Sequence, residues 1–294
     1  MFCHAPGREL LLPDALLERV LSQLGFSNRP APAFDGLCRI YSAWCQKVPF
    51  DNVRKLIHVR SGHSGPLPGY TPADFFEAWL KFGTGGTCWS GAGALHAVLS
   101  SLGFDAYRGI GTMMAAPELP PNHGTVMVHF DQKRYLVDSG ILHGEPLLLQ
   151  DDAETVISHP AWGIRCAKRD GRWHIQWRPF HRLDGFECRL ERFGALLQEY
   201  QQMHDKTRGW SPFNFQVTAR INRGDRTVGI GFGKAVTLES DGLATERPVS
   251  MDERNAVLIE TVGISEEIVS LLPDDIPTPP PPGSRTAQLE AAAR

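Results

Sequence analysis

The chain has 294 residues, a formal net charge of −3 and 42% hydrophobic residues. That length suggests two or three compact units or one large domain, with enough apolar material for a real core. The near-neutral balance offers no basic face for nucleic acid. No apolar run approaches the ~20 residues of a membrane span, so neither a nucleic-acid partner nor a membrane is expected. Met1 to Leu12 lacks a basic segment followed by a long apolar stretch, and no secretory leader is expected.

Leu11 to Leu24 reads as a helix, with Pro13 near its start and Gly25 at its end. A second helix runs from about Phe34 to Gln46, with Leu37, Ile40, Tyr41 and Trp44 on one face, and Pro49-Phe50-Asp51-Asn52-Val53 terminates it. Arg60 to Gly69 reads as a loop. Thr71 and Pro72 open a third helix as N-cap and first residue, with Phe75, Phe76, Trp79 and Leu80 as its apolar face. Gly85-Gly86-Thr87-Cys88 then leads into a fourth helix, marked by Leu95, Val98, Leu99 and Leu102 and stopped at Gly103.

After Phe104 the period changes. Ala106 to Thr112, Thr125 to Phe130 and Tyr135 to Val137 read as strands, with a turn within Asp131 to Arg134. Further strands fit Arg172 to Arg178 and Phe186 to Leu190, and Glu191 to Met203 reads as an amphipathic helix. Phe215 to Ile221, Thr227 to Phe232 and Ala235 to Leu238 continue the β pattern around a turn at Asn222 to Asp225. Ser250 to Glu253 is a capping box whose helix ends near Gly263, and Ser265 caps a last helix to Leu272. The proline-rich stretch from Asp274 reads as an extended, unpacked tail.

The six cysteines, Cys3, Cys38, Cys45, Cys88, Cys166 and Cys188, form no Cys-x-x-Cys pair. No metal site is expected, and the scatter suggests reduced thiols in a cytoplasm, with all but Cys88 read as packing residues. Cys88 is different. Thr87 is placed to N-cap the helix, so Cys88 falls in its first turn, where the positive end of the helix dipole favours a thiolate. The two glycines allow close backbone approach. A cysteine there is either a nucleophile or a small core residue.

A nucleophile needs a base, and the base needs an orienting partner. His123 precedes one strand of the hairpin and Asp138 follows the other. If Asp131-Gln132 is a two-residue turn, Asp138 stands opposite Thr125. His123 and Asp138 are then diagonal neighbours, roughly 7–8 Å apart between backbones. His96 lies too far along its helix to act on the sulfur. His129 lies near the hairpin turn, and His143, His174, His181 and His204 show no acidic partner across a recognisable strand pair.

These motifs resemble the arylamine N-acetyltransferase family. Thr84-Gly85-Gly86-Thr87-Cys88-Trp89-Ser90 followed by Leu102-Gly103-Phe104 is similar to its Arg-Gly-Gly-x-Cys-Phe-Glu and Leu-Gly-Phe motifs. His123 with Tyr135-Leu136-Val137-Asp138-Ser139-Gly140 matches its histidine and Tyr-Leu-Val-Asp-x-Gly, the two functional residues being 15 apart. Val48 to Val53 looks like its Ile-Pro-Phe-Glu-Asn-Leu, and Trp210-Ser211-Pro212-Phe213 like its Ser-x-Phe.

The resemblance implies an α+β fold: an N-terminal helical bundle over residues 1–104, a central antiparallel β-barrel over 105–204 and a C-terminal α/β lid over 205–273, with 274–294 as the tail, around a cysteine-protease-like Cys-His-Asp core. It implies Cys88 as acyl acceptor, His123 as base and Asp138 as the residue orienting it. The reaction would be ping-pong, with the acyl group passing from acetyl-CoA or another thioester to a small-molecule amine. No permanently bound cofactor is expected. Thr125, the segment after Asp138 and Ser211 to Phe213 are the expected contacts for the thioester, while Gly231-Phe232-Gly233-Lys234 reads as a bulge or tight bend. The loops Arg60 to Gly69 and Met113 to Pro121 could border the cleft.

Departures cluster at the nucleophile. The family's arginine is Thr84, its glutamate is Asp51, and its Phe-Glu and following Asn are Trp89-Ser90 and Ala92. One reading is drift with the chemistry intact. Another is a pathway-specific amide synthase taking a longer acyl group from a carrier protein. A hydrolase, and a non-catalytic binding protein on the same fold, complete the alternatives.

Overall fold

A computed structural model describes residues 11–115 and 119–282. The expectations for Cys3, for residues 116–118 of the Met113 to Pro121 segment and for the tail from residue 283 lie outside the described residues.

Helices α1 (Asp14–Leu24), α2 (Phe34–Lys47), α4 (Pro72–Phe82) and α5 (Cys88–Ser101) form the first packed unit. Gly25 and Gly83 end α1 and α4 in the left-handed conformation that favours glycine. Thr71 caps α4 through its side chain, accepting from the Asp74 N–H at 3.2 Å, and Pro72 is the first helical residue. α5 is buried on every side from Cys88 to Leu99, against Leu17, Leu21, Ile40 and Trp44 among others, so it is the axis of this unit.

The sequence reading misses two elements between α2 and α4. Pro49 ends α2, but the chain then makes a short strand, β1 (Phe50–Asp51), and a helix, α3 (Val53–Arg60). The α3 pattern is short and half polar, so its periodicity is weak; Val53 and Leu56 bury against the third unit instead of the first.

An eight-stranded antiparallel sheet follows. In chain order it contains β2 (Asp105–Met113), β3 (His123–Phe130), β4 (Lys133–Val137), β5 (Leu147–Leu148), β6 (Thr155–Ile157), β7 (Ile164–Arg169), β8 (Arg172–Trp177) and β9 (Phe186–Phe193). The spatial order is β5-β4-β3-β2-β9-β8-β7-β6. Edge strands β5 and β6 pack near each other, so the sheet nearly closes into a barrel around Met127, Leu136, Ile175, Cys188 and Leu190. β5, β6 and β7 are absent from the sequence reading; two are only two or three residues long, below what alternation can mark. The expected helix from Glu191 is corrected as well. Residues 191–193 complete β9, where Phe193 lies opposite Gly109, and Gly194 breaks the strand at φ 84°. Helix α6 (Leu197–Lys206) begins only then and packs on α5.

The third unit is the sheet β1-β10-β11-β12-β13, built from β1 and β10 (Thr218–Arg223), β11 (Arg226–Gly231), β12 (Lys234–Leu238) and β13 (Ala244–Pro248). The Gly231 to Lys234 stretch is a hairpin turn, with Phe232 and Gly233 both at positive φ. Ser250 forms the full capping box with Glu253 and starts α7 (Met251–Ala256), which widens into a π-helical turn (Val257–Val262) and stops at Gly263. Ser265 caps α8 (Glu266–Val269), shorter than expected.

Phe50 and Asp51 pair with Arg220 and Ala219 of β10. The segment that precedes the Cys88 helix is thereby stitched into the third sheet, across the expected boundaries. The start of the proline-rich stretch is also not free. Asp275 accepts from the Val217 N–H at 2.9 Å and pairs with the buried Arg254 at 3.0 Å, and the Ile276 N–H donates to Phe215 O. No described helix is long and apolar enough to cross a membrane.

Candidate active site

Cys88 is the first residue of α5 and 7% exposed. The approach to it is tight. A Cβ on Gly85 would lie 1.8 Å from Pro49 O, so only glycine fits there. Asp51 holds the same stretch by accepting from the N–H of Gly85 at 2.6 Å and of Val53 at 3.0 Å. Burial raises the Asp51 carboxyl to about 6 against those two hydrogen bonds and the Arg54 charge. Thr87 caps α5 through its backbone, without a side-chain bond, and Ser90 Oγ donates to Thr87 O at 3.0 Å.

The partner hairpin is set by its turn. Asp131 and Gln132 both take positive φ, 47° and 60°, the two-residue turn that suits twisted strands. The register that results pairs Val126 with Val137, which puts Thr125 level with Asp138. His123 is the first residue of β3, opposite Gly111 of β2. Its Nε2 donates to Asp138 Oδ2 at 2.7 Å, with both side chains buried. The Cys88 sulfur lies close enough to the ring to favour its charged form. Sγ also lies 3.8 Å from Asn122 O, within reach of a weak thiol hydrogen bond. β3 can come this close to α5 because residue 124 is glycine: a Cβ there would meet Trp89 at 2.8 Å.

Asp138 is fixed from all sides. Its Oδ1 accepts from the N–H groups of Gly140 and Ile141, each at 2.8 Å, and its backbone N–H and carbonyl both bond the Tyr41 hydroxyl. Burial by itself would lower the His123 imidazolium; the adjacent Asp138 carboxylate and the Cys88 sulfur outweigh it and push His123 up to about 10. Burial would raise Asp138, but the His123 charge and the hydrogen bonds hold it down at about 2. The arrangement favours a carboxylate–imidazolium pair whose free end faces a sulfur. An imidazolium in that position stabilises negative charge on sulfur.

The structure brings His123 and Asp138 into contact beside Cys88, and the expected thioester contacts sit around this group. Thr125 is fully buried; its hydroxyl turns to Val137 O at 3.5 Å and to Asp138, and its N–H donates to the Tyr200 hydroxyl at 3.0 Å. It supports the hairpin from inside. Ser211 accepts from the Phe213 N–H and caps a single turn of 3₁₀ helix (Pro212–Asn214). Phe213 is half-buried, with its ring 5.3 Å from that of Phe50. Phe50 in turn reaches the site, because a Cβ on Gly140 would sit 3.4 Å from both Phe50 and His123. Sequence reasoning passes over Tyr41, Phe50 and Lys55. Tyr41 carries only an apolar-pattern signal, Phe50 lies in the Val48 to Val53 motif with no role attached to it, and a lysine on a short helix gives no signal.

Among the other histidines, His174 does have an acidic partner, contrary to expectation. Its Nδ1 lies 2.8 Å from Glu187 Oε1 across the β8–β9 pair, offset from the register partner Arg189. It sits in the barrel wall, away from the sulfur. The described residues hold no group of three or more His, Cys, Asp or Glu able to bind a metal.

A protein-family profile described as N-acetyltransferase matches residues 33–182, half of the chain. This chain belongs to that N-acetyltransferase family. The match spans the Cys88 helix and the His123–Asp138 hairpin. A curated arylamine N-acetyltransferase of Mycolicibacterium smegmatis is 30% identical over 127 residues, 41% of this chain and 44% of that relative, so the match spans less than half of the relative's length. The fold is shared with the arylamine N-acetyltransferase of Mycobacterium abscessus, at a TM-score of 0.74 and 20% identity over 87% of this chain and 93% of that one. It is shared also with the Mycobacterium marinum arylamine N-acetyltransferase solved in complex with CoA, at a TM-score of 0.72 and 19% identity over 88% and 95%.

Proposed function

We propose that this family member transfers an acyl group from a thioester such as acetyl-CoA to an amine through an acyl-Cys88 intermediate. The observation that carries the reading is the buried His123 ring, bonded to Asp138 at 2.7 Å and neighbouring the Cys88 sulfur at the N-terminus of α5.

In the first half-reaction the Cys88 thiolate attacks the thioester carbonyl carbon. A new S–C bond forms, the CoA thiolate leaves, and it takes the proton from His123. Sulfur replaces sulfur, so nucleophile and leaving group are closely matched. The backbone N–H of Cys88, at the open end of α5, is the candidate donor to the oxyanion. In the second half-reaction an amine attacks the acyl-cysteine, His123 accepts the amine proton, and the amide departs as the C–S bond breaks. Asp138 keeps one tautomer and one ring orientation throughout.

CoA is preferred to a carrier protein as the donor because a relative of the same fold is solved with CoA. Retention of cysteine, histidine and aspartate in contact argues for an enzyme over a binding protein. The free state of all five described cysteines fits a reducing compartment such as a cytoplasm. The test is intact-protein mass spectrometry after mixing with acetyl-CoA, then with an aniline or a hydrazide. Expected is one acetyl group on Cys88, lost to the amine as amide and absent from Cys88→Ala. No adduct with acetyl-, propionyl- or longer acyl-CoA would sink the reading; release to water at an amine-independent rate would make the protein a hydrolase.

A further inference from the structure

Lys55, on α3, is 4% exposed, and its Nζ has no hydrogen-bond partner among the described residues. The acids and cations around it are committed elsewhere. Arg54 pairs with Asp74 at 2.7 Å, and Asp51 serves the N–H groups of Gly85 and Val53. Lys55 lines a small recess whose floor is Gly85, Gly86, Thr87 and Ser90, the stretch that leads into Cys88 and its first helical turn. Across the recess stands His204 of α6. Its Nε2 donates to Pro68 O at 3.0 Å, its Nδ1 is unpartnered, and burial lowers it to about 4, so it is uncharged at neutral pH. Asp205 and Arg208 of the same segment bond each other, and Arg208 also bonds the carbonyls of His63 and Gly65. Thr84, before the two glycines, is neutral and brings no cation.

A buried amine without a carboxylate is expensive to keep, and replacing it by an apolar side chain is usually neutral or stabilising. The one charge that favours the ammonium form of Lys55 is that of the Cys88 sulfur, acting against burial, which lowers Lys55 to about 7. Thr87, in the wall of the same recess, directly precedes Cys88, so the ammonium stands beside the first turn that carries the sulfur. We propose that Lys55 is a positioning residue for acyl transfer, its ammonium stabilising negative charge on Cys88 through the first turn of α5 in addition to His123. The assignment rests on Cys88 being the acylated nucleophile. Lys55 touches neither acyl donor nor amine.

The experiment is the rate of iodoacetamide alkylation of Cys88, read by peptide mass from about pH 5 to about pH 9, in the wild-type protein, Lys55→Met and Lys55→Arg, with a thermal melt of each. The expected result is that Lys55→Met shifts the profile upward by about one pH unit, a loss of about tenfold on its acid limb. It should melt at the same or a higher temperature, and Lys55→Arg should restore the acid limb. Superposed profiles for wild type and Lys55→Met overturn the assignment while leaving the nucleophile intact. So does a loss of rate that tracks a fall in melting temperature. A wild-type Cys88 that alkylates no faster than free cysteine overturns the nucleophile reading, and the role of Lys55 with it.

Discussion

The Tyr41 hydroxyl accepts the backbone N–H of Asp138 at 3.0 Å and donates to the carbonyl of the same residue at 2.9 Å. It also accepts from the His143 N–H at 3.2 Å. One side chain of α2 thus clamps the residue whose carboxylate holds His123. Tyr41→Phe strips a partner from three buried backbone groups at about 1–3 kcal/mol each, partly recovered by relaxation. The expected cost is about 2–4 kcal/mol in a urea melt, with kcat for acetyl transfer falling more than KM changes. A variant as stable and active as wild type would show that the loop after β4 holds Asp138 without Tyr41.

The His123–Asp138 pair predicts a pH window. His123 is raised when folded, so its stabilisation is complete below its unfolded value of about 6.5 and is lost as pH rises through about 10. Asp138 is lowered, so its stabilisation is complete above about 3.9 and is lost as pH falls through about 2. The difference in melting temperature between wild type and Asp138→Asn should be widest from about pH 4 to about pH 6.5 and narrow on both sides. A difference independent of pH would mean the pair is not charged in the folded protein.

Asp51 offers a contrast between losing a charge and losing an acceptor. Asp51→Asn keeps an oxygen for Gly85 or Val53 and removes a carboxylate that burial already disfavours. The other N–H then faces an amide NH2, so the variant should cost stability at neutral pH, but less than Asp51→Ala. Asp51→Ala leaves two buried N–H groups unpaired and should cost about 2–4 kcal/mol. It should also slow acetylation of Cys88, because the Gly85–Thr87 approach loosens. Equal melts for the two variants would remove the carboxylate's structural role.

The start of the C-terminal stretch should carry stability. Arg254 is buried and pairs with Asp275 at 3.0 Å, and Asp275 also takes the Val217 N–H. Asp275→Ala leaves a buried guanidinium without its carboxylate and is expected to cost about 2–3 kcal/mol. Acetyl transfer, measured well below the melting temperature, should be nearly unchanged. Chemical denaturation checks the first value and steady-state kinetics the second.

Local chemistry made some of this protein readable in one dimension. Thr71-Pro72 and the Ser250–Glu253 box start helices because the side chain that caps and the N–H groups that need it are neighbours in the chain. The Asp131-Gln132 turn sets the register that brings Asp138 level with Thr125, and only four residues decide it. Gly85, Gly86 and Cys88 marked a helix start for the same reason. Alternation fixes which face Thr125 takes, while packing decides that this face meets Asp138 and Tyr200.

What only the folded chain decides involves partners far apart in sequence. β1 exists because β10, some 170 residues later, supplies its hydrogen bonds; nothing within Phe50–Asp51 requires a strand. The Tyr41–Asp138 clamp joins positions 97 residues apart. Lys55 reads as an ordinary surface lysine until α5 and α6 close over it. Short-range geometry belongs to the sequence because a few covalent bonds carry it. Burial, and the charge balance it forces on Lys55, His123 and Asp138, is a property of which distant surfaces meet.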